Sequence, residues 1–385
     1  MTDSTKQRVR LLGVIAASGA GGAEQVFATL LRGLDPDRFD VVVACHGRGS
    51  MAATYARHAS RVESLDLVHL RPGAVARLAA LMRETRCDLV HTHLWTADVL
   101  AGLAASRAGV RRRVASVAGA YFLPFDVTGP RRARRLVMSR LFRTVYRGYD
   151  RVIAPSRYVA DDLTHRPGVR VPAARLRVIE NGVDVEDAER VARREDGGSS
   201  ARWGEGRPRI AVVANFFPIK GHRFLLAAVP AVLAAWPGAR FVLAGEGDTR
   251  AAMQALASRL GIDGRVTFTG EIPDALDLMR ASDLVVLPSL SEGLPITLVE
   301  ALALGTPVVA TRVGGIPEVV EDDVSARLVP PGDPGALGAA IVELLGDGAL
   351  AGRLGAAGRT LARERFSAGR MVRRTETLYR ELLGA

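Results

Sequence analysis

Two glutamates, Glu292 and Glu300, stand eight positions apart in PSLSEGLPITLVEALALGTPVVAT (Pro288–Thr311). Pro295 suits the first turn of a helix and Gly305 the position just past its end, so the spacing predicts a helix over about 295–304. Glu292 then falls in the loop ahead of it. Glu300 sits more than one turn inside, among Leu298, Val299, Ala301 and Leu302. A carboxylate in apolar surroundings needs hydrogen-bond donors, and two vicinal hydroxyls of a sugar would supply them. The unpaired first-turn amides, near Ile296 and Thr297, would meet a diphosphate with the helix dipole behind them. A capping acid and a surface acid are the plainer reading of the same string.

Other short stretches carry chemistry of the same kind. NFFPIKGHRFLLAAV (Asn215–Val229) sets Lys220 between a strand and a helix, where an ammonium could neutralise phosphate or simply be a solvated lysine in a turn. SGAGGAEQVFATLLRGL (Ser18–Leu34) follows the first strand; Gly21 and Gly22 let backbone amides approach an anion at a helix start. It is not a dinucleotide fingerprint, because Glu24 stands where a glycine is needed. In HTHLWTADVL (His91–Leu100), His93, Trp95 and Asp98 could contact a sugar or an acceptor, with Trp95 stacked on a ring face. A zinc pair is disfavoured there, since His91 and His93 are expected to point to opposite faces of the extended segment. Asp35-Pro36-Asp37 reads as a solvated turn.

These residues need a scaffold, and the chain spells one out twice. Apolar runs at 9–16, 40–45, 88–92, 113–117 and 150–156 alternate with helical patterns, and the series restarts at 209–215, 240–245, 265–270, 283–289 and 307–311. Strands apolar on both sides and alternating with helices mean a parallel sheet covered on both faces. The expectation is therefore an α/β chain of two Rossmann-like doubly wound domains, over 1–184 and 209–365, joined by a polar linker at 185–208. Open sheets of this kind bind ligands at the carboxyl ends of their strands, so the chemistry is expected in a cleft between the two.

The 385 residues suit two cores, and 48 % hydrophobic with 24 % charged residues describes a folded protein. Two cysteines, Cys45 and Cys87, form no disulfide framework. The opening residues offer too short an apolar run for a signal peptide, and nothing approaches the ~18 apolar residues of a membrane span, which predicts a cytoplasmic protein. Net charge is +11, but residues 1–183 carry +14 and residues 184–385 carry −3. Between Gly129 and Asp150 stand arginines 131, 132, 134, 135, 140, 143 and 147 with Met138, Leu141, Phe142, Val145 and Tyr149 on one helical face. Such a helix could lie on an anionic membrane surface, or face the core with a solvated basic side. No zinc finger, RRM-like signature or helix-turn-helix pair is present, so nucleic acid is not an expected partner.

Taken in order, GGAEQVFATLL, VIAPSRYVADDL, LRVIENGVD, KGHRFLLAA, LAGEGDTR, VTFTGEI, LPSLSEGLPITLVEALALGTPVVAT, GGIPEVVED and the tail ERFSAGRMVRRTETLYRELL resemble the family 4 retaining glycosyltransferases, which have the GT-B fold. The resemblance covers nearly the whole chain. It implies a nucleotide-diphosphate sugar donor, UDP- or GDP-linked, with no metal or other cofactor, and a tail (366–385) that packs back onto the first domain. It implies that Glu292 contacts the transferred sugar, Glu300 the ribose, and Lys220 the diphosphate beside amides near Leu294, Ile296 and Thr297. The base would lie near Ile272, and Gly21 and Gly22 would approach the donor phosphates as the cleft closes. Two positions depart from the family: Asn215 stands where an arginine is frequent, and Ala118 where a histidine is. The expected activity is metal-independent transfer to a hydroxyl of a lipid-linked or cell-envelope glycan at the inner membrane face, as in polysaccharide biosynthesis. A small soluble acceptor, or sugar-nucleotide binding without turnover, are the alternatives.

Overall fold

In a computed structural model the chain is described over residues 8–47, 49–119, 140–141, 143–166, 169–194, 203 and 206–384. The runs of Val, Ile, Leu and Ala become parallel strands in two sheets. In the first, β1 (Val9–Ile15), β2 (Phe39–His46), β3 (Arg61–Leu65), β4 (Leu89–His93), β5 (Arg112–Ser116), β6 (Arg151–Ala154) and β7 (Leu176–Val178) lie in the order β3-β2-β1-β4-β5-β6-β7. In the second, β8 (Arg209–Val213), β9 (Arg240–Ala244), β10 (Val266–Gly270), β11 (Leu284–Leu287), β12 (Val308–Thr311) and β13 (Arg327–Val329) follow the order β10-β9-β8-β11-β12-β13. Both orders reverse direction beside the first strand of the sheet, the switch point of a doubly wound fold.

The chain forms two compact units, one from the residues up to Gly182 together with Ala368 onward, the other from Val183 to Ser367. The final helix, Ala368–Leu383, belongs to the first. Its Met371, Val372, Leu378, Tyr379 and Leu382 bury against Leu11, Phe27, Leu30 and Leu31 of β1 and of helix α1 (Gly22–Gly33). The stretch 185–208, read as an exposed linker, instead opens with a helix, Val185–Ala192. Asp184 Oδ1 caps it by accepting from Asp187 N at 2.9 Å, and Val185, Ala188 and Val191, three apart, bury in the second unit.

At the end of β4 the rings of His91 and His93 lie 4.3 Å apart on one face. This corrects the expectation of opposite faces: strand side chains alternate, so positions two apart coincide. His91 Nδ1 bonds Tyr379 Oη at 2.5 Å inside the core, and Nε2 bonds the half-buried Ser116 Oγ at 2.8 Å. Tyr379→Phe would leave that imidazole nitrogen buried and unpaired. It should cost about 1–3 kcal/mol in urea unfolding, whereas an unchanged midpoint would mean water replaces the phenol.

Among the described residues, no single helix is long and apolar enough to cross a membrane. The bent pair Pro334–Gly346 and Gly348–Arg365 passes that test jointly, but its Leu337, Ala340, Ile341, Leu344 and Leu354 form part of the second unit's core. Of the arginine-rich segment at 129–150, residues 129–139 and 142 lie outside the described residues, and with them Arg131, Arg132, Arg134 and Arg135.

Candidate active site

In the second unit the loops after β8, β9, β10, β11 and β12 leave the sheet at its carboxyl end. Backbone bonds tie them to one another: Phe216 N donates to Glu246 O at 2.8 Å, Gly245 N to Gly270 O at 2.9 Å and Leu290 N to Ile219 O at 2.7 Å. Lys220 ends a short turn of 3-10 helix, Pro218–Lys220, and Gly221 turns the chain into the helix His222–Ala235 at φ +69°. A Cβ at Gly221 would overlap the Pro288 carbonyl oxygen. Gly221→Ala should therefore displace both loops and cost about 1–3 kcal/mol of stability, read as a lowered Tm; an unaltered Tm would show that the approach is not tight.

The two loops bring Lys220 and Glu292 together. Lys220 Nζ donates to Glu292 Oε1 at 2.7 Å and Oε2 at 2.9 Å, and Ser289 Oγ donates to Oε1 at 2.7 Å. Glu292 is 8 % exposed, so this buried carboxylate is fully hydrogen-bonded, as burial requires. Its carbonyl accepts from Gly315 N at 3.2 Å; at Gly314, φ +56°, a Cβ would overlap that carbonyl. Neither Ser289 nor Gly314 was singled out in the sequence. Ser289 carried a signal all the same: a hydroxyl just past a strand and three residues before the acid.

The helix that follows Glu292 spans Ile296–Leu304, with Pro295 at its N-cap and Gly305 past its end at φ +76°. Pro295 has no side-chain donor or acceptor to cap with, and the first-turn amides of Ile296 and Thr297 have no acceptor within the helix. The Thr297 hydroxyl is engaged on Val213 O at 3.0 Å, so this residue can offer a ligand only its amide. Leu294 and Ile296 are buried. Glu300 is itself half-buried: Leu298, Val299, Ala301 and Leu302 around it are in the core, and partial burial lifts its carboxyl to about 7. Among the described residues it has no hydrogen-bond partner and no ion pair. Asn215 and Ile272 are half-buried in the loops after β8 and β10. His222, at the start of its helix, stacks on Phe216 with centroids 4.1 Å apart; burial, then the charge of Lys220, holds it down to about 4.

The residues expected from the first unit are placed differently. Gly21 caps helix Gly22–Gly33, and the Glu24 carboxyl folds back against it, with its pKa raised by burial. An acid thus already lies beside the amide edge the glycine pair was expected to offer. His93 is 4 % exposed, packed on Phe27 at 4.6 Å, and burial lowers it to about 3. Asp98 is fully buried, accepting from Thr92 Oγ1 at 2.5 Å and Tyr146 Oη at 2.8 Å. Trp95 packs partly buried against the same cluster. The sugar contact expected of Asp98 is therefore corrected, since both its oxygens are taken up inside the core. The histidine packs on the first helix, while the first turn of the helix after β4 sets Trp95 against the core around Tyr146 and Tyr149 and turns Asp98 into it. Among the described residues no three His, Cys, Asp or Glu side chains gather as a metal site.

Comparison with known proteins matches this arrangement twice along the chain. A family model described as Glycosyl transferases group 1 covers residues 207–347, and one described as Glycosyltransferase Family 4 covers residues 20–187. A D-inositol 3-phosphate glycosyltransferase of Segniliparus rotundus is 31 % identical over 345 residues, 84 % of this chain and 73 % of the relative. A GDP-mannose-dependent α-(1-6)-phosphatidylinositol monomannoside mannosyltransferase of Mycolicibacterium smegmatis is 31 % identical over 75 % of each chain. Other relatives described as D-inositol 3-phosphate glycosyltransferases are aligned over 60–63 % of their own length. The crystal structure of Anabaena HepE in complex with UDP-glucose superposes with a TM-score of 0.80 at 23 % identity, over 97 % of this chain and all of that one.

Proposed function

The chain belongs to glycosyltransferase family 4, and from that premise we propose that it moves a sugar from a UDP- or GDP-sugar to an acceptor hydroxyl with retention of anomeric configuration. The observation that carries this reading is the Lys220–Glu292 pair beside an uncapped helix start, with Glu300 held partnerless on the same helix. In this reading the ammonium and the first-turn amides take the donor diphosphate, Glu292 the hydroxyls of the transferred sugar and Glu300 the ribose diol. The base lies against Ile272. The carbon–oxygen bond between the sugar and the diphosphate breaks while the acceptor oxygen bonds to the same carbon from the same face. The acceptor's proton passes to the departing phosphate oxygen. Negative charge grows on the leaving group as this happens; the fixed dipoles of the helix start meet it without reorganising, and Lys220 adds a flexible cation. Asn215 leaves one cation fewer than the family frequently supplies, so Lys220 carries a larger share.

The acceptor we propose is lipid-linked or part of an envelope glycan, supported by the +14 charge of residues 1–183 and by the phosphatidylinositol mannoside in one relative's description. A soluble phosphorylated acceptor is the second reading, favoured by the relatives described as acting on D-inositol 3-phosphate. The test incubates the protein with UDP-, GDP- and ADP-sugars in EDTA, adding either a lipid extract or the soluble fraction. The expected result is nucleoside diphosphate release with one donor class and a product that keeps the donor's anomeric configuration by NMR. An inverted product, dependence on added metal, or no release with any donor would overturn the proposal.

A further inference from the structure

Among the described residues, Ser289 is the one side chain bonded to Glu292 that the reading above leaves without a part. It follows β11, is 2 % exposed, and donates Oγ to Glu292 Oε1 at 2.7 Å. Its own carbonyl accepts from Thr311 Oγ1, at the end of β12, at 2.5 Å. The next residue, Leu290, is tied through its amide to Ile219 beside the lysine. A continuous chain thus runs from the sheet through Thr311, Ser289 and Glu292 to the Lys220 ammonium.

We propose that Ser289 is a positioning residue that holds the Glu292 carboxylate in place while Lys220 turns to the donor's diphosphate. This rests on the donor reading given above. Among the described residues Lys220 supplies two of the three hydrogen bonds to the Glu292 carboxylate and Ser289 the third. The ammonium rides on a flexible four-carbon stem, and a diphosphate with at least two negative charges competes for it better than one carboxylate does. Once the ammonium moves, the serine hydroxyl is the protein donor that stays. It is anchored by Thr311 and buried, so it fixes the rotamer of Glu292 when the acid must face the sugar. Removing it frees the acid to follow the ammonium, which misplaces the sugar and leaves the nucleotide grip intact.

The experiment is a double-mutant cycle on the full chain with Ser289→Ala, Glu292→Gln and their combination, using whichever UDP- or GDP-sugar is turned over. Ser289→Ala should lower kcat about 10- to 100-fold, with donor KM and the Kd for free UDP or GDP within about twofold of wild type. In the Glu292→Gln background the same change should lower kcat no further, because the serine acts through the acid. Ser289→Thr, which keeps the hydroxyl, should recover most of the loss. The proposal is overturned by unchanged kcat in Ser289→Ala, by losses that multiply in the combination, or by a loss that appears in Kd. Full activity in both Lys220→Ala and Glu292→Gln would instead sink the donor reading itself.

Discussion

Lys220→Ala is expected to lower kcat/KM for the sugar nucleotide by about 10²–10³-fold, the usual consequence of deleting one preorganised charge opposite a leaving group. Two effects add. The diphosphate loses its cation, and Glu292, 8 % exposed, is left with one donor, Ser289, in place of three hydrogen bonds. The second effect also destabilises the free protein, by less than the ~3–5 kcal/mol of a fully buried pair because the lysine side chain is 23 % exposed. Lys220→Arg is not a conservative rescue, since a planar guanidinium cannot reproduce both the bidentate contact to Glu292 and a swing to phosphate. Steady-state kinetics with urea unfolding on the same preparations separate the two effects. Activity within threefold of wild type would remove the lysine from the site.

Glu300→Gln should act in opposite directions on stability and on binding. The carboxyl titrates at about 7 against an ordinary 4.5, because burial disfavours its ionised form. The folded chain then holds the proton more tightly than the unfolded chain. Stability accordingly falls as pH rises from about 4.5 to about 7 and stays lower above that. Glutamine removes the ionisation, so the variant should gain about 2 kcal/mol over wild type at pH 8 and almost nothing at pH 4, after allowance for the solvent that still reaches the group. Nucleotide affinity should fall about 10- to 100-fold, the worth of charge-assisted bonds from the ribose hydroxyls. Wild-type binding should also release about half a proton at pH 7, since the diol selects the carboxylate. Calorimetry in buffers of different ionisation heats measures that release. Equal stability of the two proteins at pH 8 and unaltered affinity would contradict the assignment.

How much of this was written in the sequence depends on the range of the interaction. The helix bearing Glu300 was legible because Pro295 and Gly305 punctuate it locally, and the boundary differed by one residue. Ten of the strands were legible as continuous apolar runs. The three that were missed, Arg61–Leu65, Leu176–Val178 and Arg327–Val329, are edge strands or neighbours of loops, short and interrupted by charge, as in RVESL. Lys220 and Glu292 were each nominated on their own. Their bidentate pairing spans 72 positions, and it depends on Gly221 and Gly314 letting two loops touch, which no local pattern records. Asp98 misled for the complementary reason: an acid at the start of a helix looks available, and only Tyr146 and Thr92, distant in sequence or on another element, show it turned inward.

The central claim is that one end of the second unit grips a sugar nucleotide through Lys220, Glu292 and Glu300. Calorimetric titration of UDP, GDP and ADP and of their sugars into the full chain, in EDTA, tests it most directly when wild type is set beside Lys220→Ala and Glu300→Gln. The account predicts saturable binding of one nucleotide class to wild type, weakened in both variants and tightening as pH rises through 7. Binding of equal strength to all three proteins, or none to wild type with any nucleotide, would contradict it.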